Sequence, residues 1–224
     1  MFSPDTQGRT LSIWVKILFM GFREPFATGE KYHIYNRGTD KRKTFLDKAD
    51  YERFLFVLEN LNRPSSHGNV CKALQIQLSG RSKEQLKEYA ELVYISDYCL
   101  MPNHYHLIVE QLVDGGISKF LQKVMTSYTM YFNKRYERSG VLFQGKTKSK
   151  FIISELHYKQ VKTYIDLNPV DLCDSGWRER GKVRSLVKTN KFLKDFKWSS
   201  CRDYKNYNKY LTGRERLGLL DYFD

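Results

Sequence analysis

The stretch MPNHYHLIVE, at residues 101–110, constrains the fold of this chain more than any other segment. Its aliphatic and β-branched residues are typical of a β-strand, in which alternate side chains share one face. His104 and His106 would therefore point to one side of a sheet, and the other side would carry Tyr105, Leu107 and Val109. Two neighbouring imidazoles form a ready pair of metal ligands, although two surface histidines on a half-exposed strand would give the same pattern.

Three further segments predict strands beside this one. Residues 92–100 are apolar, and Met101-Pro102-Asn103 forms a turn that would pair them with the histidine strand in antiparallel fashion. The aromatic and β-branched segment 31–37 ends at a glycine, as strands often do before a turn. Residues 141–152 predict a fourth strand with alternating lysines on one face. These lysines suit either a solvated edge strand or a ribbon that contacts phosphates.

Apolar side chains recur at helical spacing in residues 47–62, 116–139 and 154–168. Asp47 and Ser154 are the candidate N-caps of the first and last of these helices. The last helix also has a polar stripe, which comprises His157, Gln160, Tyr164 and Asn168. Such a stripe usually faces water, but an imidazole, an amide and a phenol in line could also belong to a functional site.

Composition points to a polyanionic partner. The chain has 224 residues and a net charge of +13, which favours nucleic acid over a membrane surface. Residues 178–216 contain 13 Lys or Arg against 4 Asp or Glu, a net of +9, with aromatic residues between them. Cations interleaved with rings suit single-stranded nucleic acid, because the backbone is neutralised while bases stack.

Other features limit the class of protein. The apolar segment 12–22 is too short to span a bilayer, which takes about 20 residues, so an N-terminal extension is expected there. The four cysteines have no metal-binding or redox spacing and suggest reduced thiols in a cytoplasmic protein. No glycine-rich phosphate loop is present, which argues against a nucleotide cofactor. Residues 64–80 lose all periodicity and predict a loop, followed by a short helix after Ser82.

Four motifs occur in a specific order: YHIYNRG (32–38), YCLMPNHYHLIVE (98–110), GVLFQGKTKSK (140–150) and YIDLNPV (164–170). Together they resemble the REP-associated tyrosine transposase branch of the HUH single-strand DNA transposases, over roughly residues 24–210. The resemblance implies an α+β fold of the ferredoxin-like HUH type, with a central antiparallel sheet and helices packed on one face. It divides the chain into an N-terminal extension (1–23), an HUH domain (24–176) and a basic, aromatic C-terminal extension (177–224).

The resemblance also implies roles for individual residues. Tyr164 takes the position of the nucleophile, and His104, His106 and Asn168 take those of the metal ligands, with Mg²⁺ or Mn²⁺ as the expected ion. The expected activity is metal-dependent cleavage and rejoining of single-stranded, hairpin-bearing DNA through a 5′-phosphotyrosine. Residues expected to contact DNA are Arg37, Gln144, Lys146, Lys148 and Lys150.

Besides an RNA-binding module, which charge alone would allow but which would not require the metal-binding face, two alternatives remain open at this point. One is a non-catalytic DNA-binding protein, for example a decayed or domesticated transposase, although the intact histidines and tyrosine weigh against decay. The other is a relaxase-like or replication-initiator-like nickase, against which the lack of a helicase segment weighs. The expected partner is DNA, without a membrane, and the protein is expected to be a monomer or a homodimer.

Overall fold

An antiparallel sheet of four strands lies at the centre of the computed structural model, which describes residues 25–63 and 91–215. The strands are β1 (Lys31–Arg37), β2 (Val93–Met101), β3 (His104–Gln111) and β4 (Lys148–Phe151), in the order β2-β3-β1-β4. The predicted central antiparallel sheet is therefore confirmed. The N-terminal extension, the loop at 64–80 and the helix after Ser82 are predictions that lie outside the described residues.

Two long helices cover one face of the sheet: α1 (Lys48–Asn60) and α2 (Gly116–Arg135). As predicted, Asp47 caps α1, since its side chain accepts a hydrogen bond from the backbone N–H of Asp50. The apolar stripes of both helices pack on the side chains of β3 that were expected to face away from the histidines, namely Tyr105, Leu107 and Val109. This face holds the larger of the two apolar clusters that border the sheet.

The opposite face, which carries the histidines, is covered by α3 (Glu155–Asp166), so helices lie on both faces of the sheet. Ser154 caps this helix as predicted, and Val161 and Ile165 are buried against the sheet. The physical reason lies in the sheet itself, because its histidine side also presents apolar side chains that need cover, among them Cys99, Met101 and Ile108. A helix on this face brings the tyrosine motif to the histidines.

An irregularity in β2 gives this second face its acidic residue. The pairing of β2 with β3 shifts register between Ile95 and Asp97, as at a β-bulge. Before the shift, Val93 and Ile95 pack with α1 and α2; after it, the even-numbered residues Tyr98 and Leu100 do so. Asp97 is thereby directed to the face that α3 covers.

Buried charges connect α3 to the bulged strand. The ammonium of Lys162 forms an ion pair with Asp97 and a second one, at 3.1 Å, with Asp166. Burial opposes its charge, but these two carboxylates together raise the pKa of Lys162. The hydroxyl of Tyr158 donates to Asp97 at 2.8 Å, and the hydroxyl of Tyr207 donates to Asp166 at 2.6 Å. The network ties α3 to the sheet and to the C-terminal segment.

Four short helices follow α3 in the described chain. The first is α4 (Val170–Cys173), and the basic C-terminal segment forms α5 (Trp177–Arg180), α6 (Leu186–Asp195) and α7 (Asn208–Leu211). Their apolar side chains share one buried cluster with Leu167, which follows directly after α3. Further along, the backbone of Trp198 and Ser200 forms hydrogen bonds with the outer edge of β2. These bonds cover a strand edge that could otherwise pair with another chain. Among the described residues, no helix has the length and apolar character needed to cross a membrane.

The fourth strand and α2 have boundaries that differ from the prediction. The fourth strand begins at Lys148 rather than at residue 141, because Gly145 adopts a left-handed conformation (φ +59°) that interrupts the extended chain. Lys146 therefore lies outside the strand and does not share its face with the other two lysines. Helix α2 ends at Arg135, earlier than expected, and Glu137 just beyond it has a left-handed φ of +49°.

We expect Lys162→Met to lower the free energy of unfolding by about 3 kcal/mol, because two buried carboxylates would lose their counter-charge. Urea denaturation checks this. Lys159→Met is the matched control, since this lysine lies on the same helix in an exposed ion pair with Glu155 and should contribute less than about 0.5 kcal/mol. Equal effects of the two substitutions would show that the buried network does not stabilise the fold.

Candidate active site

The two histidines of β3 lie on one face of the sheet, as predicted. Both side chains are almost fully buried, and their ring centroids are 5.2 Å apart with the ring planes nearly perpendicular. Nδ1 of His104 is hydrogen-bonded to the side-chain oxygen of Asn103 at 2.7 Å. Its Nε2 is consequently the ring nitrogen that can act towards α3.

Helix α3 brings the other two predicted residues to these histidines. The ring of Tyr164 lies edge-on to that of His106, with centroids 5.5 Å apart. The side-chain oxygen of Asn168 lies 3.2 Å from Nε2 of His104. Four residues that are separated by up to 64 positions in the chain thus meet at one place.

Asn168 reaches the histidine although the helix ends earlier than predicted. The last residue of α3 is Asp166, because a residue before proline, here Asn168 before Pro169, is disfavoured in helical conformation. The backbone N–H of Asn168 instead bonds to the carbonyl of Ile165 at 3.2 Å, which closes a tighter final turn. That turn keeps the amide on the side of the helix that faces His104.

His33 also belongs to the site, although no pattern in the sequence indicated it. Its Nε2 is hydrogen-bonded to Nδ1 of His106 at 2.8 Å, and the two rings are stacked with centroids 5.1 Å apart. Strands β1 and β3 pair so that His33 stands opposite Ile108, and Tyr35 opposite His106. The alternation of the strand KYHIYNR indicates which face His33 lies on. Only the register between β1 and β3 brings His33 to His106.

Burial keeps the imidazoles neutral. It is the main cause that lowers the pKa of His104 from 6.5 to about 4, although the hydrogen bond with Asn168 opposes this shift. Burial likewise lowers the pKa of His33 to about 3 and holds the pKa of His106 well below its usual range. Neutral imidazole is the form that binds a metal ion.

The residues predicted to contact DNA lie around this face, with one exception. Arg37 pairs with His104 across the strands, and Lys150 pairs with His33, so each shares a face with its partner. Lys148 is directed to the same side and is exposed. Gln144 is exposed in the loop before β4, and its backbone N–H donates to the carbonyl of Arg37 at 2.7 Å. Lys146 is the exception, since it is exposed but precedes the strand.

Arg178 is a second site residue that no pattern in the sequence indicated. Its guanidinium carbon lies 4.9 Å from the ring centroid of Tyr164. Burial raises the pKa of the Tyr164 phenol, and the nearby charge of Arg178 acts in the opposite direction. The abundance of cations in residues 178–216 hid this one, because no local pattern distinguishes it from its neighbours.

The donor atoms fit a divalent metal ion. Within the described residues, no group of three or more His, Cys, Asp or Glu side chains is placed to hold a metal. The set here consists of two imidazoles and an amide oxygen, of which His104 Nε2 and Asn168 Oδ1 are close enough to bind one ion. Because Nδ1 of His106 is hydrogen-bonded to His33, His106 would bind the metal ion through its Nε2. Such mixed ligands suit Mg²⁺ or Mn²⁺ when substrate oxygens complete the shell.

Comparison with known proteins shows two similarities, one in sequence and one in fold. The sequence model of the family described as "Transposase IS200 like" matches residues 69–168, a range that contains His104, His106, Tyr164 and Asn168. A solved structure described as a REP-associated tyrosine transposase bound to a REP hairpin is similar over most of both chains. The predicted resemblance to tyrosine transposases is confirmed.

The structural likeness concerns the fold. The match to that tyrosine transposase has a TM-score of 0.51 and covers 91% of this chain and 94% of the other, at 15% sequence identity. The predicted α+β fold is therefore shared with that solved structure. A search among curated proteins found no match to this sequence.

The low pKa of His104 predicts a loss of stability on mild acidification. A histidine titrates near pH 6.5 in the unfolded chain and His104 titrates at about 4 in the folded protein, so between these values the unfolded state binds more protons. The free energy of unfolding should therefore fall as the pH is lowered from 6.5 to 4. Denaturation at stepped pH in chelator should show a shallower fall for His104→Asn. An unchanged slope would contradict a neutral, buried His104.

Proposed function

We propose that this protein is a transposase that cleaves and rejoins single-stranded DNA, with Tyr164 as the nucleophile. The observation that carries this proposal is that the phenol of Tyr164 lies beside side chains that could bind a metal ion. Tyr164 packs edge-on against His106, while Asn168, one turn further on, lies 3.2 Å from His104. Tyr164 lies beside the histidines and also occupies the nucleophile's place in the motif YIDLNPV of the resemblance.

The proposed chemistry conserves the energy of the phosphodiester bond. The phenolic oxygen of Tyr164 attacks a DNA phosphorus, a bond to the tyrosine forms, and the bond to the 3′ oxygen breaks. The phenol loses its proton, and the departing 3′ oxygen takes up a proton to become a hydroxyl. The product is a 5′-phosphotyrosine, which a second 3′-hydroxyl can attack in the reverse sense. No nucleotide is consumed, in agreement with the absence of a phosphate-binding loop from the sequence.

His104, His106 and Asn168 would hold a divalent ion, expected to be Mg²⁺ or Mn²⁺. When bound, such an ion supplies Lewis-acid neutralisation of the charge on the non-bridging phosphate oxygens. His33 supports this arrangement because its bond to His106 fixes the orientation of that ring. Burial contributes as well, since it keeps the three imidazoles uncharged and able to bind a metal.

The cations on the same face would bind the DNA backbone. Lys148 and Lys150 project from β4 on the side of the histidines, and Arg37 stands next to His104 at the end of β1. The similar solved transposase is bound to a hairpin of REP DNA. We therefore propose a single strand that carries a hairpin as the substrate of this chain, with Gln144 and Lys146 in the loop before β4 as further contacts.

Tyr164→Phe removes one oxygen and should abolish both strand cleavage and the covalent protein–DNA adduct, while the fold and DNA affinity stay nearly unchanged. The test incubates purified protein with single-stranded DNA from the repeats that flank its gene, with Mn²⁺ or with chelator, and detects the adduct by denaturing electrophoresis. Peptide mapping should locate the DNA on the peptide YIDLNPV, and chelator should suppress the adduct.

Tyr158→Phe is the matched control, since this phenol lies on the same helix but donates to Asp97 instead of facing the histidines. That variant should still form the adduct. An adduct on another tyrosine would refute Tyr164 as the nucleophile. If the unmodified protein forms no adduct with any flanking single strand, a non-catalytic DNA-binding protein becomes the better explanation.

Replacing both Lys148 and Lys150 with Gln should weaken DNA binding and reduce its dependence on salt. The slope of log affinity against log salt should decrease by about 0.7 for each single-strand phosphate contact that is lost. Fluorescence anisotropy over a range of NaCl concentrations measures this slope. Lys134→Gln serves as the control, because this exposed lysine lies at the end of α2, which covers the other face of the sheet. A slope equal to that of the control would show that the two lysines are solvated residues of an edge strand and do not contact phosphates.

A further inference from the structure

Arg178 connects the C-terminal segment to the candidate nucleophile. It lies on α5, beyond the segment that carries the four motifs, yet its guanidinium carbon is 4.9 Å from the ring centroid of Tyr164. The same carbon lies 4.8 Å from the ring centroid of Trp177. One planar cation therefore contacts two aromatic rings, an arrangement that is favourable when the cation lies over a ring face.

Asp171 anchors this arrangement from the other side. One of its carboxylate oxygens accepts a hydrogen bond from the indole N–H of Trp177 at 2.7 Å, and the other accepts from Nε of Arg178 at 3.3 Å. Trp177 is only 2% exposed and packs in the cluster that includes Leu167, three residues after Tyr164. The cation is thus held by groups whose own positions are determined by packing.

A second arginine on the same helix shows what a purely structural ion pair would look like. Arg180 forms an ion pair with the buried Asp174 and bonds to the carbonyl of Ser175, within its own part of the chain. Arg178 differs, because its Nη2 is buried and has no hydrogen-bond partner among the described residues, while its charged plane lies against Tyr164. Stabilising the C-terminal segment alone would not require that contact.

We propose that Arg178 is a positioning residue that holds the ring of Tyr164 in the orientation needed for attack on DNA. This inference rests on the proposed function, in which Tyr164 is the nucleophile. The basic segment from residue 177 onwards then completes the active site in addition to any role in binding DNA. The physical reason is geometric: a phenol ring that contacts both His106 and a fixed guanidinium has little freedom to turn its oxygen away from the phosphate.

The test separates chemistry from binding. Single-turnover formation of the adduct is measured with a saturating, labelled single strand copied from the flanking repeats, in the presence of Mn²⁺, and the Kd is measured by anisotropy. Arg178→Gln should reduce the rate constant by about 10²-fold, the order expected when a reacting group is misplaced by about 1 Å. The Kd should change by less than about threefold, because most affinity comes from other phosphate contacts.

Three further variants make the outcome specific. Arg178→Lys keeps the charge and should recover part of the lost rate. Asp171→Asn leaves Arg178 in place but weakens its anchor, and should reduce the rate less than Arg178→Gln does. Arg180→Gln removes one charge from the same helix and should leave the rate constant unchanged. Melting temperatures of all variants establish that each is folded, and Arg178→Lys with Asp171→Asn carry the test if Arg178→Gln does not fold.

The possible failures are distinguishable. If the unmodified protein forms no adduct, the proposed function and this inference both fall. If it forms the adduct and Arg178→Gln reacts at the same rate, only the role of Arg178 is refuted. The role is also refuted if the loss appears entirely in Kd, or if Arg180→Gln slows the reaction as much as Arg178→Gln.

Discussion

The packing of α3 against the histidine face of the sheet is the constraint on which the candidate site depends. Two sets of interactions maintain it: apolar contacts of Val161 and Ile165, and the buried ion pairs of Lys162. Removing one partner of such a buried pair is costly, because it leaves charge without compensation in a medium of low dielectric constant. The shift of register in β2 makes the ion pair between Asp97 and Lys162 possible, since it directs Asp97 towards this helix.

In the resulting site, the buried centre is uncharged and the cations lie at its rim. The imidazoles at the centre are buried and neutral, which suits them to bind a metal ion rather than a phosphate directly. The cations lie around them, on the strand ends and on the C-terminal segment, where a DNA backbone would pass. Tyr164 stands at the boundary, in contact with a histidine and with a guanidinium. This division fits a reaction in which phosphate charge must be neutralised while a neutral phenol is brought to attack.

The elements of the fold could be predicted where the chain carries its own local signals. The alternation in HYHLIV identified β3 and its two faces, and Asp47 and Ser154 correctly located two helix starts, because caps and periodicity act over a few residues. Boundaries set by single backbone conformations were less accurate, as at Gly145, where a left-handed residue shortens the fourth strand.

The sequence by itself determined which residues to consider: the pair His104 and His106, the tyrosine of the YIDLNPV motif and the amide that follows it. Only the tertiary structure decided that these residues meet and that His33 and Arg178 join them. The physical reason is that strand register and helix packing are long-range properties, which depend on many contacts between distant segments. His33 reaches His106 through pairing over 73 positions, and Arg178 reaches Tyr164 because a separate apolar cluster folds the C-terminal segment back onto the end of α3.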